Sequence, residues 1–190
     1  RVRSSAASDV YKRQGGKIIA AAGNAEINWE ESNSAGIGNG GYNPHDYHQD
    51  TVNGTIIING GLVDATGIYF GAGIGGGDLM PIQSITINGG DVTAYSEMCA
   101  GIGNGGSGDG GTILITGGTI NASSQRSWGI GGGYIADVER ITITGGVVTA
   151  SSNSGAGIGS TAYRTTAEVI ISGGIVTATS SNGDGIGMGT

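Results

Sequence analysis

In the stretch RITITGGVVTASSNSGAGIG, from Arg140 to Gly159, Ile141 and Ile143 alternate with Thr142, and Val148 and Ala150 flank Thr149. Period two over such short tracts is strand spacing, and no window of the chain carries the wider period of a helix. A third apolar position, Ile158, sits between Gly157 and Gly159. The pattern then recurs. Gly-Gly pairs start at Gly60, Gly89, Gly117, Gly145 and Gly173, in steps of 29, 28, 28 and 28 residues. Gly-Ile-Gly starts at Gly73, Gly101, Gly129, Gly157 and Gly185, each time 28 residues on. An earlier, stretched copy runs from Gly15 with its Gly-Ile-Gly at Gly36. Repeats therefore begin near residues 15, 54, 84, 112, 140 and 168, and internal periodicity of this kind decides the fold before any local propensity does.

A unit of three short strands cannot bury its own apolar face, so like residues of successive units must stack. The inward ladders are expected to be Ile56, Ile85, Ile113, Ile141, Val169, then Ile58, Ile87, Ile115, Ile143, Ile171, then Val63, Val92, Ile120, Val148, Val176. A fourth runs Ile37, Ile74, Ile102, Ile130, Ile158, Ile186. Before each Gly-Gly stand Asn59, Asn88, Thr116, Thr144 and Ser172, expected to bond turn backbone at a corner whose glycines take positive φ. Parallel crossovers are overwhelmingly right-handed. The fold class that follows is all-β: a right-handed parallel β-helix, or β-solenoid, of about six turns of ~28 residues with three short strands per turn, roughly 25 Å long at the spacing of parallel strands.

Composition narrows the alternatives. The 190 residues hold 42 Gly but only two Pro and no Gly-X-Y period, which excludes collagen. A disordered Gly/Ser linker would not keep β-branched residues in fixed columns. Residues Ser4 to Gln14, SSAASDVYKRQ, resemble the in-frame translation of a transposase adapter used for sequencing libraries, so residues 1–14 are expected to be a scar on a chain from assembled community DNA. Residues 15–190 then form one solenoid domain, expected to be a slice truncated at both ends. The formal net charge of minus 7 becomes about minus ten without residues 1–14, which leave four basic against fourteen acidic side chains. Lys17, Arg126, Arg140 and Arg164 cannot make a phosphate-tracking stripe, so nucleic acid and anionic membrane are poor partners. No apolar run approaches the ~20 residues of a membrane helix.

Candidate chemistry collects in the irregular first repeat, whose two insertions are of a different character. One includes Trp29, Glu30 and Glu31; the other is GYNPHDYHQD, with Tyr42, His45, Asp46, Tyr47, His48 and Asp50. Insertions in a solenoid fall on loops, and loops carry function more often than the frame. Rings cover the apolar face of a pyranose while carboxylates bond its hydroxyls, so Trp29, Glu30, Glu31, Tyr42 and Tyr47 are candidate carbohydrate contacts. His45, Asp46, His48 and Asp50 could instead hold a metal, with calcium as the candidate ion. A plain solvated loop is the competing reading of the same residues.

Elsewhere the chemistry is sparse. Asp64 and Asp91 stand alone in columns otherwise filled by Thr, Asn, Leu, Val and Ile, so no line of acids serves a lyase or hydrolase. The outward threonines Thr93, Thr149 and Thr177 are interrupted by Asp64 and Asn121, which breaks an ice-binding face. Cys99 shares a column with Ser34, Gly71, Ser127, Gly155 and Gly183, a place for small side chains rather than for a nucleophile lacking a histidine. The Gly-Ile-Gly face is expected to be bare of side chains outside, open to another chain or a sugar unless it only serves a tight bend.

ITITGGVVTA followed by GAGIG resembles the Gly-rich β-helix repeats of large secreted or wall-attached proteins of gut Firmicutes, and is similar to β-helical carbohydrate-binding modules of cellulose-degrading bacteria. The resemblance spans residues 15–190 and implies an extracellular, cell-surface, adhesin-like repeat module. Its expected role is non-catalytic, a stiff spacer or display scaffold for the flanking domains of a longer chain. Polysaccharide binding, to cell-wall or host glycans, is the alternative.

Overall fold

The computed structural model describes residues 10–13, 16–22, 34–41, 54–160 and 167–188. Three parallel sheets of six strands run the length of the molecule. The first stacks Val10–Arg13, Gly54–Ile58, Ile82–Ile87, Thr112–Ile115, Arg140–Ile143 and Glu168–Ile171. The second stacks Lys17–Ala21, Leu62–Gly67, Asp91–Ser96, Thr119–Ser124, Val147–Ser152 and Ile175–Ser180. The third stacks the short Gly-Ile-Gly strands Ile37–Gly38, Ile74–Gly75, Ile102–Gly103, Ile130–Gly131, Ile158–Ser160 and Ile186–Met188. One strand from each sheet makes a turn, and every sheet partner is the equivalent strand of the turn before or after. This is the right-handed parallel β-helix expected from the repeats. Five turns follow the regular repeat; the first, with its insertions, is described only in part. Below, turn two denotes 54–81, turn three 82–111, turn four 112–139, turn five 140–167 and turn six 168–188.

The ladders hold residue for residue. Ile85 lies against Ile56 and Ile113, Ile143 against Ile115 and Ile171, Val148 against Ile120 and Val176, and Ile130 against Ile102 and Ile158. In turns three to five these side chains are sealed from solvent, at 0–1 % exposure. Pairing needs only an extended backbone beside an open edge, and Val10–Arg13, in the stretch that resembles a translated adapter, pairs in register with Thr55–Ile58.

The corners differ in detail from expectation. In each Gly-Gly pair the second glycine takes positive φ, as at Gly118 (97°) and Gly146 (91°). The residue before the pair does not chiefly bond turn backbone: Asn88 donates to Asn59 Oδ1 at 2.7 Å and Thr116 donates to Asn88 Oδ1 at 2.9 Å, a side-chain ladder up the outside. Thr144 alone of these bonds backbone, at Ile115 O. Amide and hydroxyl groups stacked one turn apart reach each other more readily than they reach a corner already closed by backbone bonds.

At the second corner a serine column does the work. Ser96, Ser124, Ser152 and Ser180 each accept the N–H three residues on, from Cys99, Ser127, Gly155 and Gly183, at 2.9–3.0 Å. Ser96, Ser152 and Ser180 also donate to a carbonyl of the turn below, at Gly71, Ser127 and Gly155. One hydroxyl thus satisfies a turn donor and ties two turns together, the local bonding for which Ser is suited.

Candidate functional site

The outside of the third sheet is not bare. The second glycine of each Gly-Ile-Gly sits at a φ of 139–157° from turn two onward, and a Cβ on Gly131 would fall 1.7 Å from Gly159 O of the next turn. The glycines are there because consecutive turns approach too closely for a side chain. Over them, in turns two to four, fold the loops that follow Gly75, Gly103 and Gly131, and Ala72, Ala100 and Cys99 are completely buried.

These loops form a second layer. Gly77–Met80 of turn two closes with Met80 N donating to Gly77 O, and Gly133–Ala136 of turn four with Gly133 N donating to Ala136 O. Between them, Gly106 of turn three donates to Phe70 O and accepts from Ile135 N, both bonds near 2.9 Å. Asn104, fully buried, pins the layer from beneath: its Nδ2 donates to Gly110 O and Asp137 O at 2.7 and 2.8 Å, and its Oδ1 accepts from Ile82 N at 3.2 Å. Asp137, 1 % exposed, accepts from Ser160 Oγ, and its N–H donates to Asp109. Asn39 donates to Pro81 O at 2.6 Å in the same manner. The loops are therefore held by side-chain bonds reaching across turns, not merely tethered at their ends.

Turn two brings the aromatic residues. Where turns three to six close the second corner with a serine, this turn has Gly67, and Ile68–Tyr69–Phe70 carries one residue more than the corresponding corners. That residue is the extra one in the 29-residue step. The corner closes with Gly71 N donating to Ile68 O, throws Tyr69 into a positive φ of 47°, and lays Phe70 along the loop layer. Phe70 meets the Tyr134 ring of turn four edge-on, with centroids 6.0 Å apart at 61°. Leu79 also has positive φ, at 58°. Such a conformation costs on the order of 1–3 kcal/mol for a residue other than glycine. Tyr69, Leu79, Tyr134 and Ile135 are 39–51 % exposed, together the largest collection of exposed rings and aliphatic side chains among the described residues away from the last turn.

Beneath the rings lie two groups of altered acidity. Burial raises the Asp78 carboxyl above its ordinary range, while bonds from the Ser107 hydroxyl and the Leu79 N–H pull it down; its Oδ1 is buried without a partner. Burial pushes the Cys99 thiol up to about 12, opposed by a backbone bond from Tyr134 and reinforced by the Asp78 charge. Such a thiol is inert as a nucleophile. Trp128, the one ring in a column of Ala35, Ala72, Ala100, Ala156 and Asp184, is 5 % exposed with its Nε1 unbonded.

Five successive segments, 56–78, 85–108, 113–134, 141–162 and 169–190, match the β-helix repeat family model, together more than half of the chain. The chain belongs to the β-helix repeat family. Neither the curated proteins nor the solved structures give a match. The matched segments of this β-helix repeat protein begin at Ile56, Ile85, Ile113, Ile141 and Val169, one ladder of the first sheet, and leave out the irregular first turn. The expected carbohydrate contacts Trp29, Glu30, Glu31, Tyr42 and Tyr47, and the expected metal set His45, Asp46, His48 and Asp50, lie outside the described residues. Among the described residues no three His, Cys, Asp or Glu side chains are grouped as a metal site would require. The residues that the structure does gather, Tyr69, Phe70, Asp78, Leu79, Tyr134 and Ile135, carried one sequence signal: the 29-residue step.

Proposed function

We propose that this β-helix repeat chain is a non-catalytic structural module of a bacterial surface or secreted protein, a stiff spacer or display scaffold that holds flanking domains apart. The observation that carries the reading is register. Every inner strand pairs on both sides with its counterpart, and the side chains of the inner turns make one continuous core. Stacked repeats of this kind resist opening because a turn cannot leave without exposing the faces of two neighbours. The acids support the non-catalytic side. Asp64 lies beside Thr93 and Asp91 beside Leu62, so these carboxylates do not share a column and no acidic line runs up the sheet.

Pulled from its ends in a force spectrometer, the intact chain is expected to hold and then yield in discrete force peaks. Gradual extension at low force would sink the scaffold reading. Release of reducing sugar or unsaturated uronate from xylan, cellulose or polygalacturonate would make the chain an enzyme.

A further inference from the structure

The loop layer over turns two to four has features that the frame does not need. The regular corner, closed by serine, appears four times. Turn two replaces it with a longer corner that strains Tyr69 and leaves its ring half in water. The neighbouring Gly77–Met80 turn places Leu79 where a turn with positive φ favours glycine, and again leaves the side chain outside. Strain and apolar exposure coincide at both residues, and neither is offset by burial. Two turns up, Tyr134 and Ile135 extend the same surface, joined to it through the Phe70 ring and the Gly106 backbone.

We propose that this surface, Tyr69, Phe70, Leu79, Tyr134 and Ile135, is a binding platform for a neutral glycan chain. Charge selects the class of ligand. Segments 68–81, 104–111 and 132–139 contain Asp78, Asp109, Asp137 and Glu139 and no Lys, Arg or His, while the corners of turns three and four, above that of Tyr69, add Glu97 and Arg126, whose charges offset; the surface stays net acidic, so a phosphate, a uronate or a nucleic acid meets repulsion. The exposed Glu139 and the part-exposed Asp78 and Asp109 are carboxylate acceptors, which suit a ligand rich in hydroxyl donors. Half-exposed tyrosine rings with polar tips suit the apolar faces of its sugar rings. The patch crosses three turns, roughly 10 Å at parallel-strand spacing, so it is an elongated strip rather than a closed cage for a small cation. Phe70 and Tyr134 meet edge to face, which likewise does not form a cage. The bonds from Asn104 and Asp137 fix the loops before a ligand arrives, which limits the ordering cost of binding.

The test is affinity electrophoresis of the full chain through gels containing cellulose derivative, xylan, mannan or mixed-linkage β-glucan, with polygalacturonate and a Lys-rich peptide as controls. Retardation by a neutral glycan is expected, with a loss of at least tenfold in apparent affinity for Tyr134→Ala and Tyr69→Gly. Tyr69→Gly removes the ring and relieves the positive φ together, so melting monitored by circular dichroism should show a fold at least as stable, separating lost binding from lost structure. The proposal is overturned if the folded chain ignores every neutral glycan, if it responds only to polygalacturonate or to the peptide, or if retardation survives both substitutions and disappears instead with Trp29→Ala, which would place the site in the first repeat.

Discussion

Asp78 shows how a single side chain in the loop layer trades stability against position. Its carboxyl is raised chiefly by burial, so the folded chain holds that proton more tightly than the unfolded chain, whose ordinary value is 3.8. Below that value both states are protonated and the group costs nothing. As pH rises through the interval up to the folded pKa, the unfolded chain gives up its proton first and the fold loses stability; above it the loss is constant. Asp78→Asn removes the titration while keeping an acceptor for Ser107 and Leu79. The variant is expected to melt higher than the parent at pH 7, with the difference shrinking as pH falls toward 4, read by circular dichroism at several pH values. A difference that widens on acidification would show that Asp78 acts as a paired carboxylate instead.

At the scale of the element, the corner made by Ser152 is the clearest unit. Its hydroxyl accepts from Gly155 N at 2.9 Å and donates to Ser127 O, in a place 5 % exposed. Ser152→Ala orphans a donor and an acceptor of two different turns, and an unsatisfied buried group costs about 1–3 kcal/mol. Denaturant titration should show a loss in that range, whereas Ser151→Ala, one residue away and facing outward, should stay near zero. This serine column was legible in principle, since Ser96, Ser124, Ser152 and Ser180 recur every 28 residues, but a hydroxyl at strand's end reads as an ordinary polar position until its corner is built. The apolar ladders were fully legible because stacking forces like onto like, and so repeats each ladder residue in the sequence. Tyr69, Phe70 and Tyr134 were not. Each occurs once, in a column of unlike residues, and their meeting depends on a corner two turns away, which periodicity does not encode.

For the whole molecule, the stack predicts that the same substitution in the same ladder has different consequences according to the turn. Ile143 and Ile171 are paired neighbours in one column, yet Ile143 is 0 % exposed and Ile171, on the last strand of its sheet, is 41 % exposed. Val176 and Ala178 show the same loosening, and Ile186 reaches 48 % where its equivalents Ile130 and Ile158 are sealed. Energetics that add turn by turn make the interior turn the costlier one to break, because its removal uncovers two interfaces and not one. Ile143→Asp buries a carboxylate with no partner between turns four and six, and several kcal/mol of destabilisation are expected. Ile171→Asp keeps part of its hydration and should cost well under half as much. Hydrogen exchange would separate the two further: Ile171→Asp should release only Glu168–Ile171 and Ile175–Ser180, while Ile143→Asp should weaken protection in turns four, five and six together. Equal costs for the two variants would mean that the chain opens as one body, without the turn-by-turn additivity on which a solenoid's stiffness rests.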